Sequence, residues 1–324
     1  MNIILLVFLL GTLVNETKSS YAENSTVVAV CITGQFGRIV TNQLYNGLIR
    51  QNPNFKFKIF LNMQHNDKAI YVLRSRVPAP NPLDNKTIGD IKTILIKSLT
   101  HINSEVAGFR VSKARTLAEW KVELNRTQLN VVTQFRKEQH VILNMYSQHS
   151  GCKNMVTRHI HRNNLDSDHV KYLIWGREDA YFFKSLNMTK LIGILSQSPT
   201  SAIMTKDCLG WGGLSMRFHI FKIQDGLQFL NKLEHYVNAV DKDLTFKNPE
   251  MFEMYITKQL QLRVYNMSVE DLPVVGARYS FIDSEPCFMH QELKEYAPSI
   301  LPPCVPQASM EFAILRLCPH QSGR

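Results

Sequence analysis

The residues with most chemical potential in this chain stand directly after apolar runs. The run Val27 to Ile32 leads into Thr33-Gly34-Gln35-Phe36-Gly37-Arg38, and the run Tyr172 to Trp175 leads into Gly176-Arg177-Glu178-Asp179. A third, Ala202 to Thr205, passes through Lys206 to Asp207, with Gly210, Trp211, Gly212 and Gly213 beyond. An arginine next to a carboxylate at a strand end can meet a phosphate with its fork of N–H donors, while the carboxylate holds a hard cation or a ligand hydroxyl. Glycines at such ends let backbone approach a ligand, and a turn from strand to helix presents amides to an anion. On an extended segment Arg177 and Asp179 share one side and Glu178 points away.

These runs need a scaffold that aligns their ends. Apolar stretches of this kind suit buried parallel strands, and in open α/β sheets ligands bind at the carboxyl edge. Leu44, Tyr45, Leu48 and Ile49 recur at helical spacing after the first run, and Phe55 to Met63 reads as a second strand. Ile88 to Leu99 reads as a helix, and Gly108 to Val111 as a short strand. One helical stripe joins Leu117, Trp120, Leu124, Val131, Phe135 and Ile142, predicting a single long amphipathic helix over 114–146. Phe218 to Ile223 reads as a strand, Leu227 to Val240 and Pro249 to Leu260 as helices, and Leu262 to Tyr265 as a late strand. Alternating strands and helices imply an α/β fold with a mainly parallel sheet flanked by helices. The expected organisation is a leader over 1–22, an α/β domain over 23–280, and a Cys- and Pro-rich tail over 281–324.

The chain has 324 residues, a formal net charge of +10 and 44% hydrophobic residues, an ordinary globular composition that suits an acidic ligand. No basic stripe interleaved with aromatics is present, so nucleic acid is not an expected partner. The twelve-residue apolar run Ile3 to Val14 is too short to cross a bilayer, and with Ser20 and Ala22 it fits a signal peptide cut after Ala22. Asn24, Asn85, Asn125, Asn187 and Asn266 each open an N-x-[ST] triplet, so the expected product is an N-glycosylated protein of the secretory lumen or outside the cell, with no transmembrane span. Cys31, Cys152, Cys208, Cys287, Cys304 and Cys318 allow three disulfides there. A bridge stapling the tail is expected among the last three, with Cys31 a small core residue in its strand. The serine-hydrolase elbow, the phosphate loop and the His-Glu-x-x-His metal motif are all missing, and Gly34 to Arg38 lacks the third glycine of a dinucleotide fingerprint.

A first strand ending Gly-Gln-x-x-Arg, a later strand ending Arg-x-Asp, and an aspartate followed by glycines together resemble the nucleotide-sugar glycosyltransferases of the GT-A type, over roughly Val27 to Val274. The resemblance implies a nucleotide-sugar donor, a glycan or glycoprotein acceptor, and Mn²⁺ or Mg²⁺ as an optional cation. It places Gly34, Gln35 and Arg38 in the nucleotide pocket and Asp179, with Glu178, at the metal, Arg177 beside them. Asp207, Gly212 and Gly213 would form the donor and acceptor wall, and Asp207 and Glu250 would be the catalytic carboxylates. Glu178-Asp179 is not the family's Asp-x-Asp, and one extra residue separates Gln35 from Arg38. The alternative is a non-catalytic carbohydrate-binding or structural protein on the same scaffold. A purely structural role predicts that Asp179 and Asp207 are buried in ion pairs or lie far apart.

Overall fold

A computed structural model of the chain describes residues 25–35, 39, 41–65, 88–129, 139–165, 169–207, 213–240, 244, 246–276, 279–282 and 285–288. The expected leader, Asn24, Asn85, Arg38, Cys208, Trp211, Gly212, Cys304 and Cys318 lie outside the described residues, as does the chain beyond residue 288. Among the described residues, no helix is long and apolar enough to cross a membrane.

Seven strands make one sheet: β1 (Thr26–Gln35), β2 (Phe55–His65), β3 (Ser104–Lys113), β4 (Val170–Arg177), β6 (Ala202–Lys206), β7 (Phe218–Lys222) and β8 (Arg263–Met267). Their order is β3-β2-β1-β4-β7-β6-β8. All neighbours are parallel except β7, which runs antiparallel to both β4 and β6. The α/β class with a mainly parallel sheet is therefore what the molecule has. Strands β5 (Ala180–Phe182) and β9 (Val274–Gly276) form a small antiparallel pair, and β10 (Tyr279–Ile282) and β11 (Glu285–Phe288) another.

Buried runs such as Val28 to Ile32 point alternate side chains into two cores, one on each face. Val28, Val30 and Ile32 pack with the helical segment α1 (Thr41–Leu44, continuing as a π-turn Tyr45–Ile49), α2 (Ile88–Leu99) and α6 (Met188–Ser196). Ala29 and Cys31 face α3 (Leu117–Glu123), α5 (Gln139–Arg162), α7 (Ile223–Phe229), α8 (Lys232–Val240) and α9 (Pro249–Gln259). Trp120, Tyr146, Trp175, Tyr236 and Phe252 are fully buried in this second core.

The long helix expected over 114–146 is not continuous. Helix α3 ends at Leu124, whose backbone is extended, and α4 (Arg126–Leu129) begins afresh. Asn125 Oδ1 accepts from the Gln128 N–H at 2.8 Å, while Gln128 Oε1 accepts from the Asn125 N–H at 2.9 Å. That reciprocal cap outweighs the hydrophobic stripe that runs across it. Asn125, Asn187 and Asn266 are exposed.

Cys31 is more than a small core residue: its Sγ is bonded to that of Cys152, tying β1 to α5 across 121 residues. Peptide mapping of non-reduced protein should recover the Cys31 and Cys152 peptides joined. Replacing both by alanine should lower stability by about 2–5 kcal/mol in urea titrations. Recovery of two free thiols under non-reducing conditions would contradict this linkage.

Candidate functional site

The strand order reverses at β1 and β4: β2 and β3 continue on one side of the pair, β7, β6 and β8 on the other. In such sheets the crevice outside the carboxyl ends opens at this switch point. Strand β1 delivers Gly34 and Gln35 there, and β4 delivers Arg177. Because β7 is antiparallel, its amino end lies at the same rim, and Arg217 stands just before it. The Arg177 N–H donates to the Arg217 carbonyl at 3.1 Å, which sets the two arginines side by side.

After Arg177 the chain leaves the strand in a turn, so Glu178 and Asp179 do not alternate as an extended segment would. The Glu178 N–H donates to the Thr33 carbonyl at 2.9 Å, drawing this turn over the end of β1. The Glu178 carboxylate then lies directly on Gly34. A Cβ at that glycine would sit 1.7 Å from Glu178 Oε2, and its φ of +142° already disfavours any side chain. Glu178 therefore faces the same cluster as its neighbours, a correction to the expectation that it points away.

Asp179 is fully buried. Its Oδ2 accepts from Arg177 Nη2 at 2.8 Å and lies 3.6 Å from Arg217 Nη1. Arg177 Nε is 4.0 Å from Glu178 Oε2, so one guanidinium spans both carboxylates. The two arginine side chains each keep 21% of their surface exposed, whereas each carboxylate keeps 1%. Guanidinium forms the outer layer of this cluster and carboxylate the inner one.

Glu250 joins the same neighbourhood from the first turn of α9. Asn248 caps that helix, its Oδ1 accepting from the Met251 N–H at 2.8 Å. Burial pushes the Glu250 carboxyl above its ordinary pKa, and the charge of Glu253 one turn on adds to this. Its own backbone hydrogen bond and the fields of Arg217 and Arg177 pull the other way. Gly213 supports this placement: a Cβ there would lie 2.0 Å from the Glu250 carbonyl oxygen, so only glycine lets this segment lie against the helix start. Asp207 is exposed at the end of β6, two strands along the rim from β4, and its N–H donates to the Met267 carbonyl at 2.9 Å.

Gly34, Gln35, Arg177, Glu178, Asp179 and Glu250, all expected from sequence, thus lie toward one rim of the sheet, with Asp207 further along it; Arg38 and Gly212 lie outside the described residues. It missed Arg217. The only signal was that residue's position before a strand, and its meaning depends on that strand being antiparallel.

A buried polar layer underlies the rim. Trp175 Nε1 donates to Thr33 Oγ1 at 3.0 Å, and Gln148 Nε2 donates to the Gly34 carbonyl at 2.9 Å. Deeper still, Lys232 Nζ donates to Glu253 Oε1 at 2.5 Å, and His219 Nε2 is 3.0 Å from Glu253 Oε2, all three side chains being fully buried. His219 Nδ1 lies 3.1 Å from Thr205 Oγ1. Burial lowers the Lys232 pKa to about 8 despite its carboxylate partner. His149 is fully buried, packs edge-on to Trp175, and neither ring nitrogen forms a hydrogen bond. Desolvation first, then the charges of Lys232, His219 and Arg177, hold it neutral well below its ordinary range.

A divalent cation, which the family resemblance allows, fits these residues poorly. Among the described residues no three His, Cys, Asp or Glu side chains converge as a cation site. The two carboxylates assigned to a metal, Glu178 and Asp179, are engaged by Arg177, and Asp179 also by Arg217.

No family model matches the chain, and no curated protein matches it. Among solved structures, the apo crystal structure of mouse xyloside xylosyltransferase 1 aligns with a TM-score of 0.38 and 6% identity, covering 76% of this chain and 85% of that one. Values this low do not equate the two folds.

Two outcomes follow from this geometry. Gly34→Ala should lower the melting temperature and disturb the Glu178 contact, since the new methyl group occupies the position of the carboxylate. The unfolded chain takes up a proton at His149 and His219 below about pH 6.5 and the native one does not, so stability should fall as pH drops through that value. His149→Phe keeps the ring packing and should flatten part of that decline in thermal melts between pH 5 and 7. An unchanged slope would show that His149 is charged or solvated in the native state.

Proposed function

We propose that this chain is a glycosyltransferase of GT-A-like architecture, acting in the secretory lumen or outside the cell on a glycan or glycoprotein acceptor. The observation that carries the reading is the pair of partly exposed guanidinium groups at the sheet's switch point, whose fields reach the Glu250 carboxyl. In this reading Gly34, Gln35 and Arg38 line the nucleotide pocket of a nucleotide-sugar donor. Arg177 and Arg217 meet its diphosphate. Gly212 and Gly213 belong to the wall of the donor and acceptor site, with Asp207 along the same rim. The linkage of Cys31 to Cys152 and the exposed sequons support an oxidising, glycosylating compartment.

The chemistry asked of these residues is simple. A base accepts the proton of the acceptor hydroxyl while that oxygen bonds to the anomeric carbon. The bond from that carbon to the diphosphate oxygen breaks, and its electron pair leaves with the diphosphate. Glu250 suits the base: a carboxylate with raised proton affinity is better matched to neutral pH than an ordinary one. Asp207 is the second candidate for that role. The growing charge on the diphosphate meets guanidinium N–H donors already gathered by Asp179, Arg177 through a hydrogen bond and Arg217 through an ion pair, so less reorganisation accompanies transfer.

The reading without turnover draws on one specific observation: Asp179 is buried in ion pairs, as a purely structural role expects. Incubation with a panel of nucleotide sugars, with release of nucleoside diphosphate as the readout, separates the two. A transferase releases product from at least one donor, and Glu250→Gln slows that release by about 10²–10⁴-fold while donor affinity changes little. Release at the wild-type rate in Glu250→Gln would remove this residue from the base role. Failure of every donor would favour the binding protein.

A further inference from the structure

We propose that the rim binds its diphosphate group through Arg177 and Arg217 without a divalent cation, the guanidinium pair taking the place a metal would hold. The inference deepens the donor-site reading above and rests on it for the identity of the natural ligand.

The layering of charge carries the argument. A carboxylate pair that serves a cation must turn its oxygens toward the crevice, since a hard cation takes six or more oxygen ligands at close range. Here the oxygens are turned inward. Asp179 and Glu178 retain 1% side-chain exposure against 21% for each arginine. Arg177 Nη2 holds Asp179 Oδ2 at 2.8 Å, and Arg217 Nη1 closes on the same oxygen at 3.6 Å. A cation reaching Asp179 would have to displace a buried charge-assisted hydrogen bond and settle beside two positive groups.

The same layering suits an anion. A guanidinium carries N–H donors in a planar fork, and the two arginines each keep 21% of their side-chain surface exposed at the rim. Asp179 holds the Arg177 fork from behind with a hydrogen bond and attracts Arg217 as an ion pair at 3.6 Å, so both guanidinium groups are drawn to one place before a ligand arrives. Fork geometry matches phosphate oxygens two at a time, an advantage a lysine lacks. The backbone bond between the Arg177 N–H and the Arg217 carbonyl sets the spacing of the forks, and the antiparallel course of β7 is what makes that bond possible. Gly34, pressed against Glu178, closes the inner side of the cluster.

The test uses the full secreted chain, inorganic pyrophosphate and MnCl₂, followed by calorimetry and by the electron paramagnetic resonance of free Mn²⁺. The expected result is pyrophosphate binding in excess EDTA, with affinity within about threefold of that in excess Mn²⁺, and no uptake of Mn²⁺ alone. Arg217→Gln should weaken pyrophosphate by at least tenfold. Should that variant fold poorly by circular dichroism, Arg217→Lys keeps the charge and removes the fork, and should still lose several-fold. Pyrophosphate binding only in the presence of Mn²⁺, Mn²⁺ uptake that Asp179→Asn abolishes, or no pyrophosphate binding under either condition would each overturn the proposal. Pyrophosphate binding in EDTA while no nucleoside diphosphate binds more tightly would instead sink the nucleotide-sugar reading and leave the arginine site standing.

Discussion

A fully buried carboxylate is tolerable only in the company of cations, and Asp179 is such a group. Its burial requires Arg177 and Arg217 to be at hand, and they can be at hand only where β4 and an antiparallel β7 bring their ends together. The remainder of the rim adjusts to this cluster. Glu178 folds over the end of β1, Gly34 is obliged to be glycine beneath it, and Gln148 holds the Gly34 carbonyl from α5. The link from Cys31 to Cys152 joins that strand to that helix one turn from Gln148 and three residues before Gly34, fixing the register of the contact.

A second buried charge group lies below. Lys232, Glu253 and His219 come from α8, α9 and β7, and each is fully excluded from water. Removing one partner of such a set leaves an uncompensated charge, which costs far more than replacing the set by apolar groups. The group therefore braces α9 against β7, and those two elements carry Glu250 and Arg217 to the rim. Stability and site geometry share one set of contacts. Helix α9 also connects the layers electrostatically, because the negative charge of Glu253 adds to the rise in Glu250 proton affinity that burial chiefly causes.

Much of this was legible in local sequence. Apolar runs ending in glycine and charge marked β1, β4 and β6, and alternating strand and helix patterns gave the α/β class. The rim cluster followed, because strand ends in a parallel sheet share one edge. What escaped was decided by distant partners. Nothing in Phe218 to Lys222 states its direction, so Arg217 was passed over. Hydrophobic periodicity alone joined Leu117 to Ile142, although the Asn125 and Gln128 side chains carried the stop signal in their own chemistry. The pairing of Cys31 with Cys152 spans 121 residues and has no local signature. Glu178 was misdirected because strand alternation was carried one residue past the strand's end.

The central claim is that guanidinium groups at the β1 and β4 switch point form the anion-facing wall of a single ligand site. A crystal structure grown with a nucleoside diphosphate and chelator tests it most directly. The account predicts diphosphate density within hydrogen-bonding distance of both Arg177 and Arg217, with Asp179 still paired behind them. Density at another edge of the sheet, or a diphosphate held through Glu178 and Asp179 with the arginines turned away, would contradict it.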